Sequence, residues 1–287
     1  MQGKKISDST KILDGKKIAS QIAEGLKRKI HKMPKVPKLA IILIGDDKAS
    51  ASYVVNKKRL AKKLGIKVKV YKLSKNVSTK QVCDLIRKLN KTKTCDGITV
   101  ELPLPKKFNV RRILDRIKPE KDVDCLTTGN LGKLFTDKAI IYPPTVEAAL
   151  ELLNNTRVKI QGKDIVIIGG GILVGRPLAA YFIQKQATIT VCNKSTKNLS
   201  SYTKKANILI SGVGKAKIIT GAMVKKGAIV IDVGFSHRYG KVCGDIDFES
   251  VKRKAKFITP CPGGVGPLTC VMLVKNLINI KKHQGAV

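Results

Sequence analysis

The sequence predicts an α/β protein built on parallel sheets and divided into two parts. Three observations lead there. Short apolar runs closed by glycine, residues 39–44 before Gly45 and 165–168 before Gly169, read as strands buried on both faces. Other segments carry apolar residues at helical spacing, such as Ile18, Ile22, Leu26 and Ile30, or Val82, Leu85, Ile86 and Leu89. Strand and helix alternate on either side of a break at Tyr142-Pro143-Pro144-Thr145, the pattern of βαβ units with right-handed crossovers.

Composition narrows the class. A chain of 287 residues, 43% of them hydrophobic, is long enough for one large or two modest domains with a real core. No apolar run approaches the roughly 20 residues that span a bilayer, so no membrane partner is expected. The basic start, Met1-Gln2-Gly3-Lys4-Lys5, runs into Ser-Asp-Ser-Thr and shows no export signal. Seven scattered cysteines without a Cys-x-x-Cys pair point to reduced thiols in a cytoplasm, and three isolated histidines offer no metal site. Against 57 basic residues stand only 20 acidic ones, a net charge of +37. Such a field attracts polyanions. Nucleic acid is nevertheless not the expected partner: the lysines run along the whole chain, and aromatics, at 4%, leave few stacking platforms. Compositional drift and steering of an anionic small molecule are the two readings of the excess.

Taken in order, the amphipathic segment from Ile18 closes at Pro34 and Pro37, and the first strand follows. Ser50-Ala51-Ser52-Tyr53-Val54-Val55-Asn56-Lys57 then opens a helix to about Leu64, capped by Ser50 or Ser52 and ended by Gly65. Tyr53 and Lys57, four residues apart, share one helical face, so a phenol and an amine point the same way. Alone, a lysine in so basic a chain reads as a solvated charge. A strand over 67–73, a helix around Leu85 and a strand at 97–100 lead to Glu101-Leu102-Pro103-Leu104-Pro105. In parallel sheets ligands gather at the carboxyl ends of strands, which places Tyr53, Lys57 and Glu101 on one rim. The polar stretch 118–125 reads as a loop, where a carboxylate such as Asp124 is ordinarily solvated or capping. A turn is expected at Gly129-Asn130-Leu131-Gly132, and Thr145 is expected to cap a helix through Leu152.

The second part opens with a strand at 164–168 and the turn Gly169-Gly170-Gly171-Ile172-Leu173-Val174-Gly175 before a helix. A glycine turn between a strand and a helix N-terminus cradles phosphates with free N–H groups and the helix dipole. Its Gly-x-Gly-x-x-x-Gly spacing is one residue longer than the common dinucleotide fingerprint. The next strand, 187–192, is followed by Asn193-Lys194-Ser195-Thr196-Lys197 and not by the acid that holds an NAD ribose, which favours NADP. Strands at 208–211 and 228–234, a hairpin around Tyr239-Gly240, and a strand at 257–259 come next. The Gly- and Pro-rich loop Pro260-Cys261-Pro262-Gly263-Gly264-Val265-Gly266-Pro267 either approaches a ligand closely or is a plain tight turn. An apolar closing helix ends the chain.

These residues together resemble the methylenetetrahydrofolate dehydrogenase/cyclohydrolase family. The stretches that carry the resemblance are Ile12-Leu13-Asp14-Gly15-Lys16, Ser50-x-x-Tyr53-x-x-x-Lys57, Asp96-Gly97-Ile98, Leu102-Pro103-Leu104-Pro105 and Lys121-Asp122-Val123-Asp124. Val174-Gly175-Arg176-Pro177, Ile231-Asp232-Val233-Gly234, Gly244-Asp245 and Thr259-Pro260-x-Pro262-Gly263-Gly264-Val265-Gly266-Pro267 continue it. The resemblance implies a catalytic folate-binding domain over 1–143, joined by the returning helix 268–287, and a Rossmann-like NADP domain over 144–267. It implies a homodimer paired through the cofactor domain. The implied chemistry is NADP-dependent oxidation of 5,10-methylenetetrahydrofolate to the 5,10-methenyl form, then hydrolysis to 10-formyltetrahydrofolate. By the same resemblance Lys57 is the catalytic amine, Tyr53 stacks on the folate, and Asp124 holds the pterin. Pro262, Gly263 and Gly264 touch substrate, while Gly169, Gly170, Gly171 and Phe235 line the NADP site. Lys194 and Ser195 join the NADP site from the reading of the second strand. A basic surface also suits the anionic glutamate tails that folates carry.

The chain departs from that pattern at several positions. Glu101 stands where the family has Gln. A charge about 4 Å from Lys57 is worth up to about 4 kcal/mol at an effective dielectric near 20, which lifts the amine pKa by up to about 3. Hydrolysis wants a neutral amine, so the cyclohydrolase step is expected to weaken while hydride transfer survives, unless Glu101 carries a proton and mimics the amide. Gly170 and Gly171 replace a larger residue and Ser, with Lys194 compensating as a point charge. Cys125 replaces Gly, and Pro144 and Val146 alter the usual linker. The alternatives are a dehydrogenase only, or a basic binding protein on the same fold with its chemistry lost.

Overall fold

The computed structural model describes residues 10–238 and 241–284. In chain order its elements are β1 (Lys11–Ile12), α1 (Gly15–His31), β2 (Lys38–Ile44), α2 (Lys48–Lys63), β3 (Lys67–Leu73), α3 (Thr79–Lys91), β4 (Gly97–Val100), α4 (Val110–Leu114), α5 (Thr128–Phe135) and α6 (Pro144–Asn154). They continue with β5 (Asp164–Ile168), α7 (Gly175–Gln184), β6 (Thr188–Cys192), α8 (Leu199–Thr203), β7 (Ile208–Ser211), β8 (Ile229–Asp232), β9 (Ser236–Arg238), β10 (Lys241–Cys243), α9 (Phe248–Lys252), β11 (Phe257–Ile258) and α10 (Val265–Gln284). Two compact units result. One holds Ala19–Pro144 with the chain from Thr269 onward; the other holds the described residues up to Ile18 with Thr145–Leu268.

The first of these is built on a three-stranded parallel sheet ordered β3-β2-β4. Its central strand β2 is paired on both sides, and Ile41 and Ile42 are fully buried, which is why its sequence is apolar without alternation. The edge strand β3 alternates Lys with Val and shows lysines to solvent. Helix α3 is fixed at its start by a capping box between Ser78 and Gln81. From there it lays Val82, Ile86 and Leu89 against Ile98, Val100, Phe108 and Ile113. The later turns of α10 pack here too. The buried Asn276 amide donates to the Val123 and Tyr142 carbonyls at 2.9 and 2.7 Å, and Lys281 pairs with Asp96 at 2.5 Å. Backbone carbonyls of the loop that no ladder serves are thus satisfied by a helix from the far end of the chain.

The second unit carries a six-stranded sheet ordered β1-β11-β8-β7-β5-β6, parallel throughout. The first domain was expected to start at residue 1, and here the structure differs. The described residues from Thr10 to Ile18 belong to this unit because Lys11 and Ile12 pair with Phe257 and Ile258 as a sixth strand, and Leu13 N–H donates to the Ile258 carbonyl at 2.8 Å. Gly15 lies so close to Gly264 that a side chain there would strike its carbonyl.

Three local expectations also change. Helix α2 begins at Lys48 and is capped by Asp47, whose carboxylate accepts from the Ser50 N–H at 2.7 Å, so neither serine is the cap. The stretch expected to turn at 129–132 is helical α5, capped by Thr127. Helix α6 starts at Pro144, which needs no N–H partner in a first turn, and Thr145 lies inside it. The hairpin turn at Tyr239-Gly240 lies outside the described residues, but the strands that flank it, β9 and β10, pair antiparallel.

Candidate active site

In the three-strand unit the chain leaves β2 for α2 and β3 on one side, then crosses by α3 to β4 on the other. The carboxyl end of β2 is therefore the point where strand order reverses, the usual ligand position in an open parallel sheet. Gly45, at φ +82°, turns the chain out of β2 toward α2. Helix α2 carries Tyr53, partly buried, and Lys57 one turn later, 9% exposed. Glu101 follows β4, held by its N–H to the Ile42 carbonyl at 2.9 Å. Lys57 Nζ donates to Glu101 Oε1 at 2.6 Å, with Glu101 only 6% exposed. Asp124 is brought in by the loop beside β4, where Asp122 bridges Ile98. The buried Thr99 hydroxyl, on β4, donates to Asp124 Oδ2.

The electrostatics follow from this crowding. Burial pulls the Lys57 ammonium down, but the charges of Glu101 and Asp124 and the hydrogen bond to Glu101 outweigh it and hold the amine above the ordinary lysine range. Burial pushes the Asp124 carboxyl up; Lys57 and the Thr99 hydroxyl pull it partly back. Cys270, in the first turns of α10, senses Lys57 and Glu101, and burial raises its thiol. At neutral pH the amine is a cation between two acids. It can donate a hydrogen bond, but it is a poor proton acceptor.

The six-strand unit has a second reversal, at β5, between β6 on one side and β7 on the other. Gly169 leaves β5 at φ +104°, and its N–H bonds the Cys192 carbonyl at 2.8 Å. A Cβ on Gly175 would strike the Gly169 carbonyl, so the turn is closed backbone on backbone. Arg176 braces it, donating from its N–H to Gly171 O and from Nε to Gly170 O, each at 3.1 Å. Helix α7 then begins at Gly175 without a side-chain cap, because the preceding residue is Val174. At the helix start Arg176 N–H is taken by Gly171, Pro177 has no N–H and Leu178 N–H bonds the Val174 carbonyl. What suits a pyrophosphate here is therefore the helix dipole beside a turn of three glycines. Beyond β6, Lys194 and Ser195 are exposed in a turn fixed by the Asn193 side chain, which accepts from Ser195 N–H at 2.9 Å. Phe235, 39% exposed, follows β8. Gly263, at φ +114°, accepts through its carbonyl from Lys16 N–H at 3.2 Å, and Pro262 beside it is exposed.

Asp232 and Asp245, whose motifs carry part of the family resemblance, hold backbone in the six-strand unit. Asp232 accepts from the N–H groups of Gly234, Asp245 and Ile246, each at 3.0 Å. Asp245 accepts from Ser211 Oγ at 2.7 Å and from the N–H groups of Val213 and Lys215 at 2.8 and 2.7 Å. Side chains on Gly234 and Gly244 would run into these carboxylates. The interlock fixes the loops after β7 and β8. Its signal was the acid placed in a buried strand next to glycine. Thr99 carried a similar signal, a hydroxyl inside an apolar strand, whereas Cys270 carried none. Among the described residues no group of three or more His, Cys, Asp or Glu side chains converges as a metal site, and no helix is long and apolar enough to cross a membrane.

Comparison with known proteins gives the family. Residues 13–124 match the family model described as tetrahydrofolate dehydrogenase/cyclohydrolase, catalytic domain, and residues 143–285 match the NAD(P)-binding domain of the same family. The chain is 42% identical over 272 residues to the bifunctional protein FolD of Caldanaerobacter subterraneus, covering 95% of this chain and 97% of that one. The crystal structure of the bifunctional FolD enzyme from Campylobacter jejuni superposes with a TM-score of 0.92 at 39% identity, covering 96% of this chain and 99% of that one. The methylenetetrahydrofolate dehydrogenase-cyclohydrolase of Trypanosoma brucei, solved with NADP cofactor and inhibitor, gives 0.93 at 32% identity, covering 97% and 99%.

Proposed function

The chain belongs to the tetrahydrofolate dehydrogenase/cyclohydrolase family, and from that premise we propose a bifunctional enzyme whose second step is held back by one carboxylate. It oxidises 5,10-methylenetetrahydrofolate to the 5,10-methenyl form with NADP and hydrolyses that product to 10-formyltetrahydrofolate. The observation that carries the finer reading is the buried Lys57–Glu101 pair at 2.6 Å.

Tyr53 offers its ring face to the pteridine, one turn from Lys57 on the same helix. Asp124, with Oδ2 taken by Thr99, has Oδ1 left to accept from pterin N–H groups. Lys57, held as a cation, hydrogen-bonds the folate and fixes its reacting carbon. Oxidation asks only this alignment of the protein, since no proton has to leave through the enzyme. Hydrolysis asks more: a water must lose a proton as it attacks the methenyl carbon, and an ammonium cannot take it. Glu101 thus favours the first step over the second. NADP, when bound, supplies the hydride acceptor. Its pyrophosphate suits the Gly169-Gly170-Gly171 turn and the start of α7, while Lys194 and Ser195 suit a 2′-phosphate, and Phe235 adds an apolar wall. Pro262, Gly263 and Gly264 form a substrate-contacting loop.

Two protomers pair through the six-strand unit. Its edge strand β6 leaves a row of backbone groups without a neighbour, and Val191 on that strand and Ile183 on α7 are 40% and 62% exposed. Folates with polyglutamate tails suit the net charge, and a reducing cytoplasm suits seven cysteines that form no disulfide.

A spectrophotometric assay with methylenetetrahydrofolate tests the reading. Methenyl absorbance should build up with NADP, build up far more slowly with NAD, and decay slowly. Absence of reduced nucleotide with both NADP and NAD would mean a binding protein, whereas reduced nucleotide formed without methenyl build-up, decay keeping pace with formation, would remove the role given to Glu101.

A further inference from the structure

The six-strand unit has a second concave site, at the edge of its sheet opposite the glycine turn. Its lining comes from the residues just before four strands: Lys163 before β5, Asn207 before β7, Ala228 before β8 and Lys256 before β11. The cavity measures about 450 Å³, within the roughly 300–1,000 Å³ range of small-molecule pockets. Six of its thirteen lining residues are cations, Arg157, Lys159, Lys163, Lys225, Lys226 and Lys256, and none is acidic. The chain as a whole has 57 cations in 287 residues, which would supply between two and three of the thirteen. The cluster is thus denser in cations than the chain average. None of the six forms an ion pair among the described residues. They come from three separate stretches of chain, so the fold and not a sequence run gathers them. Charges of one sign held around a concave surface repel one another and focus the field inward, an arrangement that a polyvalent anion relieves.

The lining is not cationic alone. Val158, Ala228, Ile229 and Phe257 give it an apolar wall, with the Phe257 ring partly buried. Asn207 commits its side-chain carbonyl to Asp164 N–H at 2.9 Å, which leaves the amide NH2 as a donor. A bare inorganic anion would leave the apolar wall unused. We propose that this cavity binds a nucleoside di- or triphosphate, the phosphates held by the lysines and Arg157 and the base lying on the Phe257 side. The site is separate from the cofactor turn, which lies at the carboxyl ends of the same strands.

The full chain, saturated with NADP to occupy the cofactor turn, is titrated with ATP, ADP, adenosine, inorganic triphosphate and a short single-stranded RNA in about 0.15 M salt, where diffuse attraction is screened. Calorimetry and thermal melting read the result. ATP and ADP should both bind and raise the melting temperature by a few degrees. Adenosine should not bind, and triphosphate should bind at least about tenfold more weakly than ATP, since it forgoes the apolar wall. The double variant Lys226→Glu, Lys256→Glu changes two exposed side chains outside the proposed catalytic and cofactor machinery. It should lose the ATP response while keeping NADP affinity and dehydrogenase rate. No ATP response in the wild type, or a response that the double variant retains, overturns the site. Triphosphate binding as tightly as ATP overturns the nucleoside assignment, and binding of RNA without any response to ATP overturns the ligand class.

Discussion

At the scale of single residues, the site turns on whether Lys57 can lose its proton. Replacing Glu101 by Gln keeps a partner for the ammonium and removes a charge. The amine should then titrate at lower pH and the methenyl product should decay faster, by about tenfold or more, since full general-base help is worth about 10²–10⁴-fold and only part of the amine becomes free. Dehydrogenase turnover should change little. The pH dependence has a definite sign. The folded-state value of Lys57 is raised, so the fraction of free amine, and with it the hydrolytic rate, should climb into the alkaline range in the wild type and reach its plateau at lower pH in Glu101→Gln. Stopped-flow decay of methenyl absorbance across pH measures both. Identical profiles for the two proteins would mean that the water is activated elsewhere. Removing the other partner is a different experiment. Lys57→Met strands a buried carboxylate and should cost about 3–5 kcal/mol of stability, so loss of activity there would not separate chemistry from folding.

At the scale of elements, the glycine turn and the acid interlock make opposite demands. Gly175→Ala places a methyl against the Gly169 carbonyl, so the turn must open. NADP affinity should fall by at least about tenfold and the unfolding midpoint with it. Gly171 has nothing within 4 Å of where a Cβ would sit; Gly171→Ser should leave stability within about 0.5 kcal/mol and tighten NADP. Titration of both variants checks the contrast. In the interlock, burial pushes the Asp232 carboxyl up to about 7, with three backbone donors opposing and Asp245 adding to the rise. An unfolded aspartate titrates near about 3.9, so the folded chain holds this proton more tightly. The stability this group adds is complete below about pH 4 and is lost as pH rises through about 7. Urea midpoints of Asp232→Asn should therefore vary less between about pH 5 and 8 than those of the wild type. The variant should also be the weaker at pH 5, because its amide turns an N–H toward one of the three donors. These elements also mark how far the sequence could be read. Buried strands, the α2 face carrying Tyr53 and Lys57, and the turn at Gly169 were legible because periodicity and glycine placement are local. The interlock, the place of β1 in the six-stranded sheet and the helical α5 were not. Each depends on which distant backbone group receives a hydrogen bond, and local sequence does not carry that. Cys125, at φ +56° and fully buried, supplies a reason for the family's Gly that the sequence noted without explaining: the position is left-handed.

At the scale of the whole molecule, the charge governs association. The proposed pairing of two protomers of formal charge +37 would bring two fields of the same sign together, a repulsion that opposes the burial to be gained along β6. The Debye length is about 30 Å at 0.01 M salt and about 8 Å at 0.15 M, so repulsion across a dimer is felt in the first case and largely screened in the second. The dimer should therefore tighten as salt rises, the reverse of an association held by complementary charges. Capture of NADP, an anion, should move the other way, with kcat/KM falling several-fold over the same range while kcat holds. Sedimentation across the salt series, paired with initial rates, reads both trends. Ile183→Glu puts a charge on an exposed side chain of α7 and should give monomers at every salt concentration while leaving the fold intact. If the dimer instead weakened with salt, or survived Ile183→Glu, pairing would have to run through another surface, one where lysines of one copy meet some of the 20 acidic residues of the other.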